Sequence, residues 1–137
     1  MKSRKSFSLL LAAIILIQGC GAGPEGSEQA ARTYLEGEFN KWMSGQENEA
    51  ATFKARLQSQ VNPISYEIRS VVPGKPDPLA FAKPENLAKD WKEWPAYRFN
   101  VVYGSISQAG TPVEQVATYT LTWNAFEKKW YVKGRGF

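Results

Sequence analysis

"AYRFNVVYGSIS", residues 96–107, runs into "QAGTP" and then "VEQVATYTLTW", residues 113–123. Tyr97, Phe99, Val101 and Tyr103 fall on one side of a two-residue period. Ala117, Tyr119, Leu121 and Trp123 do the same, leaving Thr118, Thr120 and Thr122 on the opposite side. Alternation of this kind predicts half-buried strands, and the Gly-Thr-Pro between them predicts a turn. "NAFEKK", residues 124–129, predicts a second turn, and "WYVKG", residues 130–134, a last short strand. The stretch therefore reads as a three-strand antiparallel meander with one buried face.

Upstream, "ISYEIRSVV", residues 64–72, sets Ile64, Tyr66 and Ile68 against Ser65, Glu67 and Arg69, which adds a fourth strand. Between it and the meander lies "PGKPDPLAFAKPENLAKDWKEWP", residues 73–95, holding five of the eight prolines. That density excludes a central strand. Pro84 could open a helical turn or two, with Leu87 and Trp91 on its inner side.

Before the strands the period changes to that of a helix. In "SEQAARTYLEGEFNKWMSG", residues 27–45, Ala31, Leu35, Phe39 and Trp42 recur at four, four and three, behind a Ser27 cap and ahead of a Gly45 stop. "QENEAATFKARLQSQ", residues 46–60, continues with Ala50, Phe53 and Leu57 as a shorter second helix. The predicted fold class is α+β: N-terminal helices packed on one face of a curved four-stranded antiparallel sheet.

The first residues carry an address. Lys2, Arg4 and Lys5 precede an unbroken apolar run from Leu9 to Ile17, followed by Gly19 and Cys20. This is the layout of a secretory signal peptide, and the run is far shorter than the ~20 residues that cross a bilayer as a helix. "Ile17-Gln18-Gly19-Cys20" resembles the lipobox of bacterial lipoproteins. The resemblance implies cleavage between Gly19 and Cys20 and lipid attachment at Cys20 through a thioether. Cys20 is the chain's only cysteine, so an internal disulfide is excluded and the acylated sulfur accounts for the odd thiol. The domain plan is then 1–19 signal peptide, removed; 20–26 lipidated Cys and flexible tether; 27–137 a single α+β domain. "GAGPEG", residues 21–26, would span ~13 Å as a Gly-rich tether. Gly21, not Asp, after the lipidated cysteine implies the periplasmic face of the outer membrane, should the cell be Gram-negative.

Processing changes the charge. The chain holds 17 Lys plus Arg and 13 Asp plus Glu, but three of the bases lie in the signal segment, so 14 face 13 in the mature chain. A nucleic-acid surface needs a concentrated basic face, and no nucleic-acid partner is expected. The element order over about residues 27–134 resembles the cystatin-like folds, and among them the nuclear-transport-factor-2-like domains, whose N-terminal helices lie in a curved sheet. The closing "YTLTWNAFEKKWYV", residues 119–132, carries most of that likeness.

Chemistry narrows by elimination. The chain has no histidine, which removes the commonest neutral-pH acid/base group and the Ser-His and Cys-His nucleophile pairs. Zinc sites are mostly His and Cys, no acidic loop suits calcium, and "KGRGF" lacks the helix of a phosphate cradle. Neither metal nor other cofactor is expected. Glu36 and Glu38, like Glu47 and Glu49, are two apart and cannot face each other on a helix. Asp90 and Glu93, three apart among Lys89 and Lys92, read as solvated ion pairs. No catalytic residue is assigned.

The best binding candidate is "DWKEWPAYRF", residues 90–99, where Trp91, Trp94 and Tyr97 recur every three residues beside Arg98. Exposed, such rings anchor partners or stack on sugars; buried, they close the open end of the core. The sequence thus predicts a membrane-anchored cell-envelope lipoprotein with a small non-catalytic binding domain, its partner an envelope protein or a glycan. The alternative, carried only by the fold likeness, is a nuclear-transport-factor-2-like pocket enzyme with isomerase- or dehydratase-like acid/base chemistry. A buried Asp90 or a Glu lining a closed apolar pocket would favour it.

Overall fold

Residues 23–50, 53, 62–78 and 83–136 are described by the computed structural model. The predicted signal segment, the Gly19–Cys20 cleavage and attachment site and most of the predicted second helix lie outside them. Helix α1 spans Glu28–Met43, and the strands are β1 (Ser65–Pro73), β2 (Ala96–Ile106), β3 (Pro112–Asn124) and β4 (Lys129–Gly136). The sheet is antiparallel throughout, in the order β1-β2-β3-β4.

Ser27 caps α1: its hydroxyl accepts from the Ala30 N–H at 3.1 Å, satisfying one of the helix's orphan donors. Gly45, at φ 77°, lets the chain leave just past the end. All four residues of the predicted stripe are buried. Phe39 sits at the centre, with its ring 4.7 Å from Tyr66 of β1, 6.2 Å from Tyr103 of β2 and 5.5 Å from Tyr119 of β3. The helix therefore lies on the face formed by Tyr66, Phe99, Val101, Tyr103, Ala117, Tyr119, Leu121 and Val132. Among the described residues, one α-helix and a four-stranded antiparallel sheet share one core. Residues 46–50, where a second helix was expected to begin, form a non-helical loop.

β1 departs from simple alternation. Its register with β2 shifts between Ile68 and Ser70, a bulge that re-phases the strand. Strict alternation would turn Val72 inward; instead Val71, opposite Phe99, packs on the core and Val72 is exposed. Ser70 then faces away from α1, where its hydroxyl accepts from Asn100 Nδ2 at 2.9 Å. Asn100 Oδ1 in turn accepts from Thr118 Oγ1 at 3.0 Å, so a polar ladder crosses three strands.

The described part of the Pro-rich segment includes the short 3-10 turns Pro84–Asn86 and Trp91–Glu93 and covers one end of the far face. The Asp77 N–H donates to Thr122 Oγ1 at 3.0 Å, and Lys133 pairs with Asp77 at 2.7 Å. Thr122 is consequently only 1 % exposed, whereas Thr118 and Thr120 are half-buried. The threonine face is thus not uniformly solvated.

One core group is polar and idle. The Tyr119 hydroxyl is buried with no hydrogen-bond partner among the described residues. Burial, and secondarily Tyr103, pushes its pKa well above the ordinary tyrosine value of 10.0. Folded Tyr119 stays neutral where the unfolded residue ionises, so its contribution is full below about pH 10 and is lost as pH rises further. Tyr119→Phe should flatten that alkaline loss. At pH 7 it should be neutral, or up to about 1 kcal/mol more stable, since no bond is lost and an unmet hydroxyl is removed. Melting temperatures across pH 7 to 11 for both proteins check this.

Candidate functional site

The four predicted surface residues do not converge. The second 3-10 turn ends at Glu93 and β2 begins at Ala96, so successive residues from there alternate between faces. Tyr97 turns towards α1, half-buried, and its hydroxyl donates to the Gly26 carbonyl at 2.8 Å. Arg98 is exposed on the opposite face, between Val72 and Thr120. Trp94 is buried at 5 % exposure, and Trp91 is half-buried with the Lys92 ammonium 5.7 Å from its ring centre. Asp90 is exposed.

Trp94 belongs instead to a pocket of about 310 Å³ between the Pro-rich segment and the β3–β4 hairpin. Glu85, Asn86, Leu87 and Ala88 line one side; Asn124, Phe126, Glu127 and Tyr131 line the other. The hairpin wall is built by Asn124, which is 3 % exposed. Its Oδ1 accepts from the Phe126 and Glu127 N–H groups at 3.0 and 2.9 Å, closing an Asx-type turn. Its Nδ2 donates to the Tyr131 hydroxyl at 2.8 Å, fixing that ring in the wall. Lys128 adopts a left-handed φ of 56° as the turn closes.

The lining holds two carboxylates, Glu85 and Glu127, and no lysine or arginine. Beside it, the Lys129 ammonium lies 2.8 Å from the Glu127 carboxylate and 5.5 Å from the Tyr131 ring centre. The Glu127 hydrogen bond, and then its charge, hold Lys129 above the ordinary lysine range. Two residues of the pocket wall therefore already accommodate an ammonium group between a carboxylate and a ring.

The buried carboxylate lies elsewhere. Glu38 is 2 % exposed on α1. Asn48 Nδ2 donates to its Oε2 at 2.6 Å and to its backbone carbonyl at 2.7 Å, while the Ala50 N–H donates to Oε1 at 3.2 Å. Tyr34 stands beside it, and its pKa is raised by burial first, then by the Glu38 and Glu49 charges. These bonds use both Glu38 oxygens to fasten residues 48–50 to the helix, and Glu38 does not line the pocket. Sequence reasoning weighed Glu38 only as half of a carboxylate pair. The usable signal was its place on the apolar stripe, three residues from Leu35 and four from Trp42.

Among the described residues, no three His, Cys, Asp or Glu side chains gather as a metal site would require, and no helix is long and apolar enough to cross a membrane. No family model, curated protein or solved structure matches the chain.

Proposed function

We propose that the protein is a membrane-anchored cell-envelope lipoprotein whose single domain binds, without catalysis, a ligand bearing an ammonium group on an apolar body. The anchor follows from the Lys2-to-Cys20 layout of the sequence. The ligand class rests on one observation: the pocket combines Trp94, Phe126 and Tyr131 with two carboxylates and no cationic side chain. Rings attract cations through their faces, and carboxylates add charge complementarity. The position Lys129 already takes beside Glu127 and the Tyr131 ring supports this ligand chemistry, and a bound ammonium group would share Glu127 with it.

The pocket-enzyme alternative draws less support. A base needs reach to a substrate, and Glu38 is occupied by Asn48 and Ala50 outside the pocket. The α1-on-meander arrangement supports the cystatin-like reading of the domain, with the sheet's curvature its finer, proposed part.

The direct test is a titration of the protein with n-butylammonium, followed through the Trp94 indole N–H resonance, with n-butanol as the neutral control. Saturable shifts from the amine alone are expected, and Glu127→Gln should weaken them about threefold, the scale of one partly exposed charge contact. Equal response to butanol would remove the ammonium reading.

A further inference from the structure

The end of the domain that carries the pocket is also the end at which the chain arrives from Cys20. Gly26 is buried at φ 73°, where a side chain would stand 2.8 Å from Trp123 Cδ1, and its carbonyl accepts from Tyr97. Residues just before α1 are thus docked on the sheet and do not behave as a free tether. Only three peptide units separate Gly23 from Cys20, a reach of at most about 11 Å however they are arranged.

Trp123, the residue against Gly26, packs with its ring tilted 57° and 5.0 Å from that of Trp130 across the foot of the β3–β4 hairpin. At the tip of that hairpin Phe126 is 82 % exposed, the most exposed large apolar side chain among the described residues. Ile64, at 60 %, is at the opposite end, where its N–H bonds Gly104 near the β2–β3 turn. Exposure alone would not choose between these two ends. The place where the chain arrives does.

We infer that Phe126 and the β3–β4 hairpin tip insert into the membrane's headgroup region, holding the domain with its pocket mouth at the lipid surface; this rests on the lipoprotein reading of Cys20. An apolar ring at a tip gains from burial at the acyl boundary, and half-buried tryptophans behind it suit the interfacial layer. Glu127 offsets Lys129 at the tip and leaves Lys128 as its one net positive charge, so anionic lipid adds a single charge contact to the apolar insertion. A ligand of the pocket would then be met at headgroup depth.

The test uses the lipidated protein in vesicles of mixed phosphatidylethanolamine and phosphatidylglycerol. With Cys20 acylated, Ala125→Cys or Gln108→Cys provides one free thiol for a nitroxide, at the hairpin or at the β2–β3 turn. Oxygen-to-nickel accessibility should be several-fold higher at 125 than at 108, and Phe126→Ala should lower the value at 125 towards that at 108. Equal accessibility at the two positions, with the Cys20 thioether confirmed by peptide mass, overturns the orientation while the lipoprotein reading stands. A high value at 125 that survives Phe126→Ala removes Phe126 as the inserting group. An unacylated Cys20 by peptide mass overturns the lipoprotein reading, and the orientation with it.

Discussion

Phe39→Ala should destabilise the domain by about 3–5 kcal/mol, the cost of removing a fully buried ring from a core that cannot close around the gap. Phe39 is wholly buried and touches rings from every side: Trp42 on its own helix, Phe53, and Tyr66, Tyr103 and Tyr119 on three strands. Its stacked contact with Tyr66 and its edge contacts with Phe53 and Tyr119 contribute beyond area alone, about 0.5–1.5 kcal/mol each. The loss should be largest where α1 meets the sheet. Because domains of this size retain only about 5–15 kcal/mol, the substitution removes a large share of the total. Urea unfolding followed by near-ultraviolet circular dichroism measures it. Phe39→Leu, which keeps much of the apolar volume, should cost less than half as much; equal losses from the two would place the stabilisation in ring geometry, not volume.

The centrality of Phe39 was legible in the sequence because helix and strand periods are local signals. Ala31, Leu35, Phe39 and Trp42 are spaced to share a helix face, and Tyr97 to Tyr103 and Ala117 to Trp123 to share a sheet face. Two such faces in a short chain have to cover each other. Other features depend on contacts between distant segments and left no periodic trace. Thr122 reads as solvated until Asp77, 45 residues earlier, is placed against it. The pocket joins residues 85–88 and Trp94 to a hairpin at 124–131, a pairing no local pattern encodes. The bulge in β1 is equally silent, since neither Ile68 nor Ser70 is a residue that demands one. The spacing of Trp91, Trp94 and Tyr97 misled for a definite reason. A three-residue repeat implies one face only within a helix, and Pro95 marks where the period changes from three to two. Trp94, an anchor if exposed and a cap on the core if buried, lines the pocket as a nearly buried wall.

On the proposed lipoprotein reading, Cys20→Ser should release the protein from membranes almost completely, the largest effect expected of any single substitution here. Serine offers no sulfur for the thioether, so diacylglyceryl transfer cannot occur, and cleavage by the lipoprotein peptidase, which follows it, fails as well. A single myristoyl chain binds membranes with only about 10⁴ M⁻¹, and each further buried methylene adds about 0.8 kcal/mol. A cysteine with two or three chains therefore holds the domain by many orders of magnitude more than any one chain could. What remains in the variant depends on the uncleaved signal segment, whose Leu9-to-Ile17 run is too short to span a bilayer as a stable helix. Two measurements separate the contributions. Metabolic labelling with a fatty acid should mark the wild-type protein and not Cys20→Ser. Carbonate extraction should then leave the wild type in the pellet and bring the variant into the supernatant. Labelling of the serine variant would place the lipid elsewhere and sink the attachment site. The Phe126 hairpin makes a further distinction possible: contact through one exposed ring is weak and reversible, so it can orient a domain that acyl chains already hold, but cannot replace them.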